Sequence, residues 1–174
     1  LFMAFRGEEM GLLGSAHWVE HPTVPLKDIR AMVNLDMVGR LADSTRRLNV
    51  QGIGTSPVWK EMLERNNDSE KFNLGLLEDG QGSSDHSSFY MKGIPVLFFF
   101  TGLHTDYHRP SDDADKLAYE SQETVIRYVA EIMSEADALD EIPFTKVVKS
   151  EDQKVARFNV YVGTIPDYAA NEKG

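Results

Sequence analysis

Two adjacent glutamates, Glu8 and Glu9, stand in FRGEEMGLLGS directly after the apolar run LFMAF. Side by side at a strand end they repel each other and lose solvation unless a cation or a proton neutralises the pair. Similar side chains recur wherever an apolar run stops. Asp36 follows VNL, Asp85 and His86 follow the Gly- and Ser-rich GQGSS, and His104, Asp106 and His108 follow IPVLFFF. The chain has no cysteine, so any metal it binds must be held by His, Asp and Glu. Imidazoles and carboxylates without thiolates suit a catalytic zinc pair. Taken singly the residues have plainer readings: a solvated loop for Glu8 and Glu9, a turn or cap for Asp36, loop imidazoles for His104 and His108.

The elements that would position them alternate between strand and helix. Residues 1–5 are continuously apolar, as in a strand buried on both faces. Residues 10–21 place Leu12, Leu13, Ala16 and Val19 at helical spacing, and Pro22 closes the segment. Residues 29–35, 48–51 and 72–77 read as strands. Ser56-Pro57 predicts a helix start, a capping hydroxyl then a first-turn proline, with Val58, Trp59, Met62 and Leu63 inward. Residues 87–92 predict a helix ending before Gly93, and residues 94–100 the central strand. A long helix over 121–139 carries Val125, Ile126, Val129, Ile132, Met133, Ala136 and Leu139 on one face. The alternation predicts an α/β fold, three layers of α/β/α around a mostly parallel mixed sheet. In such sheets ligands bind beyond the carboxyl ends of the strands, where the acidic and imidazole residues fall.

Composition sets the outer bounds. The chain has 174 residues, 41% of them hydrophobic, enough for one sizeable core. No apolar run approaches the roughly 20 residues of a membrane span, and no signal peptide is visible. A net charge of −10 argues against a nucleic-acid partner. After Ile142-Pro143 the chain turns polar, which places a boundary there: residues 1–142 form one unit, and 143–174 a linker with a strand-like run at 158–162.

GEEMGLLGS, NLDMVGR, SDHSSFYMKGIP and HRPSDD, in that order, resemble the co-catalytic zinc aminopeptidases. That family includes bacterial leucyl aminopeptidases, glutamate carboxypeptidase and the glutaminyl cyclases, and the resemblance covers about residues 1–139. It implies a zinc exopeptidase-like fold and removal of N-terminal residues from peptide substrates by a di-zinc-activated water. Glu8 is implied as the general base, Glu9 and His108 as ligands of one Zn2+, and Asp36 as a ligand of the other. His108 is preferred to His104 because the family's histidine is followed four residues later by Asp, as in HRPSD. Asp85 and His86 fall in the family's substrate-facing segment. The alternative is a non-catalytic or glutaminyl-cyclase-like relative of the same fold.

The family's remaining ligands, a histidine and a bridging aspartate, lie upstream of GEE. The expectation is therefore that N-terminal strands are missing, that these residues alone bind zinc weakly and hydrolyse poorly, and that an open sheet edge invites self-association. A bacterial periplasmic or extracellular location follows from the same resemblance. The tail ARFNVYVGTIPDYAANEKG resembles the opening of a PDZ-type module.

Other features have plain readings. His17-Trp-Val-Glu20-His21 matches the inverted zincin signature H-x-x-E-H, but the pattern fixes three positions and Pro22 ends the helix at once. Surface or capping histidines are the reading adopted. Phe98, Phe99 and Phe100 offer either a specificity-pocket lining or core packing, and core packing is the plainer reading; Trp18 and Trp59 read as core or interface rather than substrate stackers. DGQGSSD lacks the ligand spacing of a calcium loop and reads as a flexible active-site loop.

Overall fold

Five apolar residues in a row, Val96–Phe100, form the strand on which the sheet is built. The computed structural model describes residues 1–67 and 71–148. In chain order its elements are α1 (Leu13–Glu20), β1 (Met32–Leu35), β2 (Arg47–Gln51), α2 (Trp59–Asn66), β3 (Asn73–Leu77), α3 (His86–Tyr90), β4 (Val96–Phe100) and α4 (Tyr119–Ala138). Among the described residues the strands form one sheet in the order β1-β4-β2-β3. β1 runs parallel to β4 and β2 parallel to β3, while β2 is antiparallel to β4.

The pleat of β4 sends successive side chains to opposite faces. Leu97 and Phe99 enter a larger core with Leu48 and Val50 of β2, Trp59, Met62 and Leu63 of α2, and Val125, Val129 and Ile132 of α4. Val96 enters a smaller core with Met32, Val19 of α1, and Phe89 and Tyr90 of α3. Helices thus cover both faces, giving the expected three layers. Each large side chain buried this way contributes about 1.5–3 kcal/mol by leaving water.

Three local expectations give way. Residues 1–5 do not form a strand, and Phe2 is 95% exposed. A buried strand needs a neighbouring ladder, and among the described residues none pairs with this run. Only Phe5 turns inward, its ring 6.0 Å from that of Phe89. The second helix starts at Trp59, after a turn at residues 57–58, and Ser56 Oγ is buried without a partner instead of capping it. The Trp59 side chain sets the local order: its indole N–H donates to Thr55 Oγ1 at 3.3 Å, and that hydroxyl also accepts the Val96 N–H at 2.9 Å. On α4, Ile126 and Met133 are exposed. Each lies about 100° round the helix from Val125 and Ile132, at the rim of the buried stripe. Tyr128 fills the interior instead and donates its hydroxyl to the Leu63 carbonyl at 2.7 Å.

Beyond Pro143 the chain stays against this body. Thr145 N–H donates to the Thr55 carbonyl at 2.8 Å, and the Phe144 ring lies 5.6 Å from Tyr90. The PDZ-like strand expected at 158–162 lies outside the described residues. Among the described residues no helix is long and apolar enough to cross a membrane.

Candidate metal centre and active site

The parallel pairing of β1 with β4 puts their carboxyl ends side by side. Asp36 leaves β1 there, its N–H still bonded to the Phe99 carbonyl at 3.3 Å. Met37 follows in the left-handed region at φ 53°. The loop after β4 carries His104, Asp106 and His108, the last also left-handed at φ 56°. Facing them, Gly7 at φ 75° turns the chain into a single 3₁₀ turn, Glu8–Met10, that displays both glutamates. Backbone bonds from Leu12 to Glu8 and from Leu13 to Gly7 lock that turn onto α1.

One contact closes the site. His108 Nε2 lies 2.7 Å from Glu9 Oε1, across 99 residues of sequence. Asp36 is fixed separately: its Oδ2 accepts from Ser84 Oγ at 2.9 Å, and that hydroxyl accepts from Asn34 Nδ2 at 2.8 Å. Glu8, Glu9, Asp36 and His108 line one cavity of about 480 Å³. One part of its wall is apolar, with Phe98, Phe100, Leu77 and Leu103. Phe98 and Phe99 are buried as the core reading expects, and Phe100 is half-buried. β-alternation turns Phe98 and Phe100 to the face that α1 and α3 leave partly open, so these two also line the cavity.

The electrostatics report concentrated negative charge. Burial pushes the Glu8 carboxyl up to about 7, and the charges of Glu9, Asp36 and Asp85 add to the rise, with His108 opposing. Burial likewise raises Asp85, against the Ser15 hydroxyl, and Asp36 raises it further. Asp85 and His86 do not line the cavity; both are buried beside it. The His86 ring stacks on Phe98 at 4.5 Å, neither of its nitrogens has a hydrogen-bond partner, and burial pushes its pKa down to about 4.

Among the described residues no three His, Asp or Glu side chains converge tightly enough to enclose a metal ion. Glu9 and His108 supply a donor pair, and Asp36 supplies a carboxylate on the same cavity. One imidazole with several unneutralised carboxylates fits a divalent cation of borderline softness. His104 lines the same cavity but faces Asp112 there, its Nε2 3.6 Å from Asp112 Oδ2. His17 and His21 stack at 4.5 Å at the end of α1, away from the cavity lining, and Glu20 pairs with Lys92 at 2.6 Å.

The model of Peptidase family M28 matches residues 1–133. The chain belongs to this family. It is 34% identical over 129 residues to aminopeptidase YwaD of Bacillus subtilis (strain 168), a match covering 68% of this chain and 28% of YwaD. Its structure is similar to that of BSAP, a zinc aminopeptidase from Bacillus subtilis, with a TM-score of 0.65 and 31% identity. That match covers 84% of this chain and 38% of BSAP. An aminopeptidase from Aneurinibacillus sp. strain AM-1 gives a TM-score of 0.62 at 27% identity, covering 83% of this chain and 35% of that one. The chain thus spans less than two fifths of the length of these relatives.

Three further residues take part in the site without being candidates by residue type alone: Asn34, Ser84 and Arg40. Ser84 and Asn34 orient Asp36, and the signal available was that each opens a motif already singled out, SDH and NLD. Arg40 also lines the cavity and pairs with Asp106 and Asp112 on the loop that carries His108.

Proposed function

We propose that this chain carries the catalytic base and part of the metal-ligand set of a zinc-dependent aminopeptidase acting on the N-terminal bond of peptides. The observation that carries the reading is the Glu9–His108 contact at 2.7 Å, which brings the first and last motifs together beside the raised carboxyl of Glu8. Glu9 and His108 are assigned to one Zn2+ and Asp36 to the other, with Ser84 orienting Asp36. Zinc bound there supplies Lewis-acid polarisation of the scissile carbonyl and the positive charge that the carboxylates lack. The Glu8 carboxylate takes a proton from the attacking water and returns it to the leaving amine nitrogen. Phe98 and Phe100 offer an apolar wall to the side chain of the N-terminal residue. Asp85, buried close enough to raise Glu8, and His86, packed behind Phe98, support this wall and the base. The edge strands β1 and β3 are the places where a second chain would add to the sheet.

The test is zinc content and aminoacyl-anilide hydrolysis of the intact protein, with N-terminal glutamine peptides as the competing substrate. Glu8→Gln is expected to lower kcat by at least about 10² while zinc stays bound, the usual scale for losing a general base. Replacing both His17 and His21 with Ala is expected to leave zinc content and hydrolysis unchanged. Cyclisation of glutamine peptides without anilide hydrolysis would refute the aminopeptidase reading. Loss of zinc on replacing His17 and His21 would move the metal to α1.

A further inference from the structure

We infer that Arg40 is a positioning residue: it ties the loop carrying His108 to the turn that follows Asp36, and so sets the distance between the two parts of the metal site. The inference rests on the metal reading proposed above.

Arg40 ends the NLDMVGR stretch, four residues after Asp36. Its guanidinium reaches three acceptors on the opposite loop. Nη2 donates to Asp106 Oδ2 at 2.9 Å and Asp112 Oδ1 at 3.0 Å, and Nη1 donates to the Lys116 carbonyl at 2.7 Å. Asp106 and Asp112 flank His108, so the fork grips its loop on both sides. Asp106 is also held by Lys116 Nζ at 2.8 Å and Ser111 Oγ at 2.7 Å. These bonds, with the Arg40 contact, keep its carboxyl well below the usual range and therefore charged. A backbone bond from Ala118 N–H to the Gly39 carbonyl at 2.9 Å clamps the same two segments.

Arg40 is not an ordinary surface ion pair. Its side chain is 15% exposed, and it lines the cavity beside Glu8 and Glu9. Exposed pairs contribute little because water competes and both side chains lose rotamer freedom. Here a planar fork with fixed donors meets three acceptors in a partly dry wall, which gives direction as well as attraction. Direction matters because each of the two segments it joins contains a strained residue. Met37, next to Asp36, and His108 itself are non-glycine residues in the left-handed region. Such backbone persists only where surrounding contacts over-determine it. With Arg40 removed, the loop can relax His108 out of that conformation and separate its imidazole from Glu9. Lysine in its place keeps the charge but cannot bridge both carboxylates and the carbonyl.

The experiment measures zinc affinity of the intact protein by chelator competition, with hydrogen exchange of residues 104–112 read in the metal-free state. Arg40→Ala is expected to weaken zinc binding about 10- to 100-fold, the range for residues that orient metal ligands, and to speed exchange in that loop. Arg40→Lys is expected to recover part of the affinity. Asp112→Asn, which leaves Arg40 in place and loosens one arm of the fork, is expected to fall between the two. If Arg40→Ala does not fold, Asp112→Asn and Arg40→Lys carry the test. Folded variants that all match the wild type within twofold in zinc affinity overturn the inference alone. A wild type that binds no zinc overturns both this inference and the metal reading.

Discussion

His86 makes the stability of the metal-free protein depend on acidity in a way that can be worked out. The ring is fully buried, stacked on Phe98, and neither nitrogen is hydrogen-bonded. Gly82 lies over it so closely that an added Cβ would come within 2.9 Å of Nε2. Burial therefore lowers the imidazole pKa from 6.5 to about 4, with the charge of Asp79 opposing the shift. In the unfolded chain the ring binds its proton near pH 6.5, while in the folded chain it resists until about pH 4. Between those values the unfolded state holds more protons, so stability falls as the pH falls. At 1.36 kcal/mol per unit, the gap corresponds to a loss of about 3 kcal/mol on going from pH 7 to pH 4. That is a large part of the roughly 5–15 kcal/mol that holds a typical domain folded. The assay is urea unfolding with chelator present, comparing the wild type with His86→Phe across this range. Glu8 acts in the opposite sense: its raised carboxyl favours proton uptake by the folded state between about pH 4.5 and 7. That contribution is common to both proteins and cancels in the difference. The wild type should lose about 3 kcal/mol relative to His86→Phe on acidification. Parallel stability curves would refute the reasoning.

Two further outcomes are expected. Gly52→Ala should destabilise by about 1–3 kcal/mol and lower Tm by several degrees, read by thermal melting. Gly52 is left-handed at φ 94°, and its added Cβ would stand 2.4 Å from the Val96 carbonyl oxygen. Zinc at one hundred times its Kd should stabilise the folded protein by about 2.7 kcal/mol, and excess chelator should reverse the gain. Because the negative charge of Glu8 beside the ligands favours a cation, that gain should shrink as the pH falls below about 7, where Glu8 takes up its proton in the metal-free protein.

Features set by local chemistry were legible from the residues. The apolar run at β4, the hydrophobic periodicity of α4 and Gly93 after α3 each declare their element within a few positions. Expectations failed where a distant neighbour decides the outcome. LFMAF has the composition of a buried strand, but composition cannot supply a paired ladder. Ser56 has the chemistry of a cap, yet burial beside Thr55 and the demand of the Trp59 ring shift the helix start by two residues. The core reading of FFF is incomplete rather than wrong, because apolar content does not reveal which sheet face a helix leaves open. The site divides the same way. Glu8, Glu9, Asp36 and His108 were legible through ordered motifs, and all four line the cavity. Ser84, Asn34 and Arg40 lie inside the same motifs, but what they do is set by contacts with residues far off in sequence.

The sheet's pairing pattern also imposes an order of assembly. β2 and β3 join residue 47 to residue 73 around one short helix, whereas β1 and β4 join residue 32 to residue 96. Glu9 must find His108 across a still longer loop. Closing longer loops costs more chain entropy, so the β2–α2–β3 unit can form early and the carboxylate–imidazole contact late. The same ordering runs backwards on heating or in denaturant. The cavity can then open while the strand–helix–strand unit beside it is still folded, and loss of metal becomes an early reporter of unfolding rather than its final step.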